Sequence, residues 1–272
     1  MQETIKILKV RFDRTNLKSA TALCMKWANE KKQRYITTPN PEILLEAEQN
    51  HKFRSTLNRS ALNIADGTGI LWASTFIHST RHNSSKTIKL AKWIFSLIRI
   101  PFCRKSIRKV LPNRVTGVDL MEQICMAAEK TGNKIFLLGA MKGTAEKVKE
   151  ILEKRCPKIK VAGTYAGSPA KHEENKIQKM INISGASILF VAYGAPKQEM
   201  WIARNLVHMP KVKLAAGIGG SFNFIAGIKK RAPKWMQRTG LEWLYRVIQE
   251  PSRIKRIYNA TIKFSLKVLR NS

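Results

Sequence analysis

Asp66 lies where an apolar segment ends and a glycine turn begins, in the stretch LNIADGTGI over residues 62–70. Aspartate is scarce in this chain, which has the others only at positions 13 and 119. A carboxylate at the end of a rigid strand, facing a cleft, can take a proton from a substrate hydroxyl. The same residue can instead cap a helix over residues 68–77. These residues alone leave both interpretations open.

Three further loops combine polar side chains with glycine or proline. They read TTPNPE (37–42), YGAPKQE (193–199) and GIGGSFNF (217–224). Their candidate binding residues are Thr38, Asn40, Lys197, Gln198, Gly219, Gly220 and Asn223. Backbone N–H groups of the glycine-rich loop could cradle phosphate oxygens. Each loop taken singly is weak evidence for a site, because turn and helix chemistry explains its residues.

Each of these loops follows an apolar run of strand length. Strands are predicted at 34–38, 61–65, 134–139, 160–165, 187–193 and 212–218, with helices at 143–155, 170–184 and 196–206. The alternation predicts an α/β, Rossmann-like fold whose largely parallel sheet has helices on both faces. Ligands of such sheets bind beyond the carboxyl ends of the strands, so we expect the four loops to form one site.

The charge of the chain predicts an anionic partner. Its 272 residues include 50 Lys and Arg against 18 acids, a formal net charge of +32. Nucleic acid, an anionic membrane surface and phosphorylated substrates all fit such a balance. No helix-turn-helix, RNP or zinc signature supports nucleic acid, which stays as an alternative. LLGAMKG (137–143) lacks the G-x-G-x-x-G fingerprint of a nicotinamide-dependent oxidoreductase.

The cysteines and the N-terminus bear on the compartment. Four cysteines stand far apart, without a C-x-x-C pair, so neither a zinc knuckle nor a redox pair is supported. We expect a reducing, cytoplasmic setting. The first residues carry no apolar signal region, and no uninterrupted apolar run of spanning length occurs.

Two strongly basic segments interrupt the α/β pattern. Residues 78–114 contain ten Lys or Arg and no acid, and residues 229–272 contain twelve with two Glu. Within the first, a polar stripe at helical spacing consists of Lys86, Lys89, Lys92, Ser96 and Arg99. This pattern predicts a helix lying in a membrane interface, with Trp93 at headgroup depth. A core helix with one solvated edge is the alternative.

The C-terminal segment repeats the pattern. Its stripe consists of Arg256, Asn259, Lys263, Lys267 and Arg270, and apolar residues lie largely off it. Such a run is often only a solvated helix face, but two basic amphipathic segments together favour the membrane interpretation. We expect a catalytic α/β domain at 1–228, with an insertion at about 78–113, and a basic appendage at 229–272 that is loosely held without lipid.

The motifs in combination resemble the WecG/TagA/CpsF family of bacterial glycosyltransferases. The matching stretches are TPNPE, ADGTG, RVTGVDL, GAPKQE, GIGGSFNF and KRAPKWMQRTGLEWLYRVIQEPSRIKR, from about residue 5 to 258. The resemblance implies a smaller N-terminal sheet region beside the Rossmann-like domain. It also implies inverting transfer of an N-acetylmannosamine-type sugar, or a related hexose or uronic acid, from a UDP donor. The implied acceptor is undecaprenyl-diphosphate-linked N-acetylglucosamine, in the synthesis of teichoic acid or another surface polysaccharide at the inner face of the plasma membrane.

The resemblance also assigns roles to residues. It makes Asp66 the catalytic base, and Thr38, Asn40 and Gln198 binding or orienting groups. It implies that appendage arginines fold over the site at the membrane, and the matching ones are Arg246, Arg253 and Arg256. Binding of lipid headgroups is their alternative role.

The acidic residues of the chain argue against a metal cofactor. Three isolated aspartates cannot form the Asp-x-Asp pair that holds a divalent metal in many glycosyltransferases, so we predict a metal-independent enzyme without cofactor. Arginine side chains would then receive the charge of the departing diphosphate.

The chain departs from the family pattern at two places. Asn223 stands where the family usually has Asp. The amide keeps the shape and hydrogen bonding of the carboxylate but not its charge. The segment between ADGTG and RVTG is also much longer than usual, and we expect it to be an added membrane anchor. Because of Asn223, a catalytically inactive membrane scaffold remains an alternative. A homo-oligomer is also left open.

Overall fold

The computed structural model describes residues 3–81, 85–100, 103–239 and 242–272. Strands β1 (Thr4–Ile7) and β2 (Val10–Asp13) form an antiparallel hairpin. The main sheet has six parallel strands, β3 (Arg34–Thr37), β4 (Leu62–Asn63), β5 (Lys134–Gly139), β6 (Lys160–Tyr165), β7 (Ile188–Ala192) and β8 (Leu214–Gly217). The predicted α/β class, its parallel sheet and the small N-terminal sheet are confirmed.

Helices fill the connections between the strands. In chain order they are α1 (Leu17–Ala28), α2 (Pro41–Gln49), α3 (His51–Arg59), α4 (Thr68–Thr80), α5 (Lys86–Ile98), α6 (Gly117–Thr131), α7 (Thr144–Arg155), α8 (Lys171–Ser184), α9 (Lys197–Asn205), α10 (Ser221–Ile225), α11 (Lys234–Thr239), α12 (Glu242–Gln249), α13 (Ile254–Tyr258) and α14 (Phe264–Arg270). A π-helical turn, Asn259–Lys263, joins the last two. The predicted helices over 143–155, 170–184 and 196–206 are confirmed to within a residue at each end.

Alternating residues of the sheet build a core on each of its faces. In β5, Ile135 and Leu137 pack on one face with residues of α1, α6 and α7, while Phe136 and Leu138 pack on the other with α8 and α9. Strands buried on both faces need apolar residues at every position, which is why β5 and β7 read as unbroken apolar runs.

The order of strands places the four predicted loops side by side. The sheet runs β4-β3-β8-β7-β5-β6, so the loops after its first four strands share one edge. The chain crosses from β4 at one end of the sheet to β5 near the other, which opens a crevice beyond the carboxyl ends. The candidate residues lie around this crevice.

The end of the C-terminal appendage belongs to a second core. Phe264 and Val268 of α14 are buried among residues of the β1–β2 hairpin, α2, α3 and α4. Lys267 also pairs with Glu48 of α2 at 3.0 Å. The expectation of a loosely held appendage is therefore wrong for its last turns, because two of its apolar side chains complete the N-terminal core.

Helix α5 forms as predicted, but Trp93 packs on the protein instead of facing outward. Trp93 Nε1 donates to the Ser265 carbonyl at 3.1 Å, and Trp72 Nε1 donates to Ser96 Oγ at 2.8 Å. Lys92 Nζ bonds the Ser79 carbonyl at 3.0 Å. Lys92 and Ser96 of the polar stripe thus contact the protein. The prediction of Trp93 at headgroup depth is wrong, because its ring packs on the N-terminal core and its N–H is bonded. None of the helices in the described ranges is long and apolar enough to cross a bilayer.

Candidate active site

A cavity of about 630 Å³ lies at the carboxyl ends of the strands. Nine predicted residues line it: Thr38, Asn40, Asp66, Gln198, Gly219, Gly220, Asn223, Arg246 and Arg256. Lys197 is exposed and is not among the lining residues. The side chain of Arg253 lies outside the described part of the structure. The four loops and part of the appendage therefore line one cavity. The position of the loops after parallel strands predicts the first point, and the family resemblance implies the second.

Asp66 lies three residues beyond the end of β4 and faces this cavity. Its backbone N–H donates to the Pro39 carbonyl at 3.1 Å, which ties the loop after β4 to the loop after β3. Helix α4 then begins after Gly67, whose φ of +118° excludes most side chains, and no side chain caps the helix. The helix-cap interpretation of Asp66 is wrong, because the cap residue is Gly67 and no side chain bonds the first helical N–H groups.

The other two aspartates are occupied by structural contacts. Asp13 accepts the backbone N–H of Asn63 at 2.7 Å and so braces β4. Asp119 accepts from Thr116 Oγ1 at 2.7 Å and pairs with Arg231 at 2.6 Å. Neither lines the large cavity, and the Asp66 carboxylate makes no hydrogen bond with the described residues. Asp66 is the aspartate left available for a ligand.

The surroundings of Asp66 bring its titration close to neutrality. Burial raises the pKa of this carboxyl to about 6, and the nearby guanidinium groups of Arg114 and Arg246 oppose the rise. Glu242 and Asp119 add to it. A base whose pKa lies just below the working pH is ionised yet still accepts a proton readily. The electrostatics of the position suit proton abstraction at neutral pH.

Glu242 organises the arginines beside Asp66. It accepts from Arg114 Nη2 at 2.9 Å and from Arg246 Nη2 at 2.5 Å, and its side chain is 8% exposed. Burial alone would raise the pKa of Glu242, but the two guanidinium groups hold it below its ordinary value. Arg246 also lies over the ring of Phe224, 5.2 Å from its centre. This cluster joins α12 of the appendage to the start of the RVTGVDL motif.

Sequence reasoning missed both Arg114 and Glu242. Glu242 is one of only two acids among residues 229–272. This scarcity is the feature of the sequence that could have marked it as a functional residue. Arg114 opens a motif that was recognised, yet its partner is 128 residues away, and no spacing rule connects them.

Arg256 is held at the cavity by a second acidic partner. Its Nε and Nη2 each lie 2.9 Å from a carboxylate oxygen of Glu42, in the first turn of α2. Asn40 caps that helix through its Oδ1, which accepts the Ile43 N–H at 3.0 Å. The loop after β3 therefore positions Glu42, and Glu42 positions the appendage arginine.

Gln198 connects two of the cavity loops. Its Oε1 accepts the N–H groups of Gly194 and Gly219, both at 3.0 Å, and its Nε2 donates to Glu199 Oε1 at 2.8 Å. The Gly219 N–H is thereby used and is not free to cradle a phosphate. Gln198 lines the cavity, and its side-chain hydrogen bonds hold the loops after β7 and β8 together.

A smaller cavity of about 180 Å³ shares Asp66 with the large one. It lies between the starts of α2 and α4 and the appendage. Trp243, Ile257 and Ala260 give it an apolar side, and Arg114 lies on its polar side. Asp66 therefore lines both cavities where they adjoin.

The acidic and imidazole side chains near the site do not gather. Among the residues that the structure describes, no group of three or more His, Cys, Asp or Glu side chains could hold a metal ion. The absence of a metal requirement stays a prediction.

A sheet-edge crevice that carries an unbonded aspartate and several arginines suits an enzyme acting on anionic substrates. The chain belongs to the WecG/TagA/CpsF family of glycosyl transferases, whose profile matches residues 5–101 and 100–272. The chain is thus a glycosyltransferase.

Three similar proteins share the name N-acetylglucosaminyldiphosphoundecaprenol N-acetyl-beta-D-mannosaminyltransferase. The one from Staphylococcus aureus (strain MRSA252) is 28% identical over 95% of this chain and 89% of its own. The Bacillus subtilis (strain 168) protein is 30% identical over 86% and 78%. The Bacillus spizizenii (strain ATCC 23059 / NRRL B-14472 / W23) protein is 29% identical over 85% and 77%.

Proposed function

We propose that this protein transfers an N-acetylmannosamine-type sugar from a UDP donor to undecaprenyl-diphosphate-linked N-acetylglucosamine, with inversion at the anomeric carbon. The names of its relatives support the sugar and the acceptor. The observation that carries the proposal is the position of Asp66, an unbonded carboxylate between two adjoining cavities. The product would enter the synthesis of teichoic acid or another surface polysaccharide.

The two cavities suit the two substrates. The large cavity has room for a nucleotide sugar beside the loops after β7 and β8. The small cavity has an apolar side formed by the appendage and suits the diphosphate and first lipid carbons of the acceptor. Asp66 then lies beside the acceptor hydroxyl, where that hydroxyl approaches the anomeric carbon of the donor.

The reaction follows from this arrangement. Asp66 takes the proton of the acceptor hydroxyl while that oxygen forms a bond to the anomeric carbon. The bond from that carbon to the diphosphate oxygen breaks on the opposite face, and UDP leaves with the electron pair. Opposite approach and departure invert the configuration, as a single displacement requires. A positioned base contributes about 10²- to 10⁴-fold to such a rate.

Arginines replace a metal in this scheme. Arg246 and Arg256 both line the large cavity, and each now pairs with a carboxylate. A guanidinium forks two oxygens of a diphosphate as it forks a carboxylate, so a bound donor can take over these bonds. The charge of departing UDP would be stabilised there without a divalent cation.

Asn223 lies in the large cavity, so its departure from the family pattern bears on the donor. An amide in place of a carboxylate leaves hydrogen bonds to a sugar available but removes one negative charge next to a doubly anionic nucleotide. We propose that Asn223 shifts the donor preference and leaves the chemistry in place. An inactive scaffold would instead show no turnover with any donor.

The location of the enzyme follows from its acceptor. A lipid-linked acceptor and a nucleotide donor meet at the cytoplasmic surface of the bacterial plasma membrane. We propose that the protein is peripheral there, attracted to anionic lipid by its net charge of +32.

The test is transfer from a panel of UDP-sugars to a short-chain, detergent-free lipid-diphosphate N-acetylglucosamine acceptor, with and without EDTA. We expect turnover with UDP-N-acetylmannosamine, its uronic acid or a related hexose, unchanged by EDTA. NMR of the product should show an anomer opposite to that of the donor. Retention of configuration, or no transfer from any UDP-sugar, would overturn the proposal, and inhibition by EDTA would remove its metal-free part.

A further inference from the structure

Helix α5 presents large apolar side chains to the outside of the protein. None of its 13 residues is buried. Phe95 is 64% exposed and Ile98 is 60% exposed, and Ile88, Leu90 and Ile94 are each about half exposed. Isolated exposed apolar residues are ordinary, but five on one helix make a patch that marks an interaction site.

The contacts of α5 explain why this patch is outward. Trp93 and Leu97 pack on the N-terminal core, and Ser96 accepts the Trp72 N–H. The protein-facing side of the helix is therefore satisfied. Its apolar side instead faces outward, whereas an amphipathic helix of a folded domain normally buries that side.

The appendage extends the same apolar surface. Tyr258, Ile262 and Leu266 are exposed at intervals of four residues along the last helical segment. Leu266 is next to Ser265, whose carbonyl binds Trp93 of α5. The outward row of the appendage therefore ends beside α5, and the two helices form one elongated surface.

The charges around this surface indicate its partner. Residues 78–114 carry ten Lys or Arg and no acid. Lys86, Arg99, Lys105 and Lys109 are exposed, and Arg99 lies 5.7 Å from the centre of the Phe95 ring. Basic side chains that extend from the rim of an apolar face reach lipid phosphates while the face itself enters the interface.

We propose that the outward face of α5, continued by Tyr258, Ile262 and Leu266, is the docking surface for an anionic lipid bilayer. A second copy of the chain is a poorer occupant, because it would bring two acid-free basic segments together. The proposal deepens the proposed function and rests on it only for the lipid-borne acceptor. It places the small cavity, lined by Ile257 and Ala260, next to the membrane-facing row.

The test is cosedimentation of the full-length protein with vesicles that hold no donor or acceptor. One set contains phosphatidylcholine alone and the other equal parts of phosphatidylcholine and phosphatidylglycerol. We expect binding to the anionic vesicles, weakened at least about tenfold in Phe95→Ser/Ile98→Ser. The matched control is Ile183→Ser/Val207→Ser, which removes residues that are 85% and 69% exposed outside this surface.

Three results would overturn the proposal. They are failure of the wild type to bind anionic vesicles, equal binding by the α5 variant, and equal loss in the control. A further contrary result is self-association of the wild type that the α5 variant abolishes while vesicle binding persists, since a second copy would then be the occupant. Thermal unfolding checks that the variants fold. If the protein binds vesicles but transfers no sugar, the proposed function is wrong and the assignment of this surface still holds.

Discussion

Arg256 and Glu42 form a two-pronged ion pair at the wall of the large cavity, with both contacts at 2.9 Å. The pair joins the appendage to the first turn of α2 across 214 residues of sequence. The Arg256 side chain is 59% exposed, and exposed pairs contribute little to stability. The pair is therefore better understood as holding the guanidinium at the position that we propose for diphosphate binding.

Replacing Arg256 by Lys should lower kcat/KM for the UDP donor by about 10- to 100-fold, because an ammonium group cannot fork two diphosphate oxygens. The measurement is steady-state transfer to the short-chain acceptor. Lys267→Ala is the matched control, since Lys267 pairs with Glu48 of the same α2 helix but does not line the cavity. Equal activity in Arg256→Lys and the wild type would remove Arg256 from the donor site.

Replacing Glu242 by Gln should both impair catalysis and destabilise the protein. The change leaves Arg114 and Arg246 without their shared, nearly buried carboxylate, and breaking such a pair costs about 3–5 kcal/mol. We expect a lower midpoint in thermal unfolding and a fall in kcat/KM. Glu122→Gln, at the more exposed pair with Arg155, should change stability by less than about 1 kcal/mol. Similar stability losses in both variants would contradict the organising role of Glu242.

The pH profile should show the ionisation of Asp66. Because its pKa is raised to about 6, kcat/KM should fall as the pH drops through 6 and the base becomes protonated. Arg114→Gln removes a cation that lowers this pKa, so the acidic limb should move to higher pH. Arg155→Gln, at a distant pair, should leave the limb in place. A limb that moves to lower pH in Arg114→Gln would contradict the assignment.

Glu199 should make the folded protein less stable as the pH rises. Burial raises its pKa to about 7 from an ordinary 4.5, and its Oε2 has no hydrogen-bond partner among the described residues. The stabilisation by its bound proton is complete below about 4.5 and is lost as the pH rises through 7. Glu199→Gln should flatten the decline in unfolding free energy between pH 5 and 8, measured by denaturant titration. An unchanged slope would show that Glu199 is ionised throughout.

The sequence predicts the sheet well because buried parallel strands leave unbroken apolar runs, as in Ile188–Ala192. It also predicts which loops meet, since the motifs follow those strands. It does not predict which face of α5 packs inward, because Trp93 and Phe95 are both apolar and only tertiary contacts distinguish them.

The pairing of Arg114 with Glu242 is hidden for a different reason. It joins residues far apart in the chain, and ion pairs leave no periodic signature in a sequence. The sequence does not predict that the last turns of the appendage are buried, because their apolar residues lie among many basic ones. The segment resembles a membrane-surface helix over its whole length.

The most direct test of the account is the turnover of Asp66→Asn with a UDP donor and the short-chain acceptor at pH 8. We predict that kcat falls by about 10²- to 10⁴-fold while calorimetry shows donor binding close to that of the wild type, because the amide keeps the shape but cannot take a proton. Glu46→Gln, which alters another carboxylate lining the large cavity, should keep nearly full turnover. Turnover by Asp66→Asn at the wild-type rate would contradict the central claim that this carboxylate is the base.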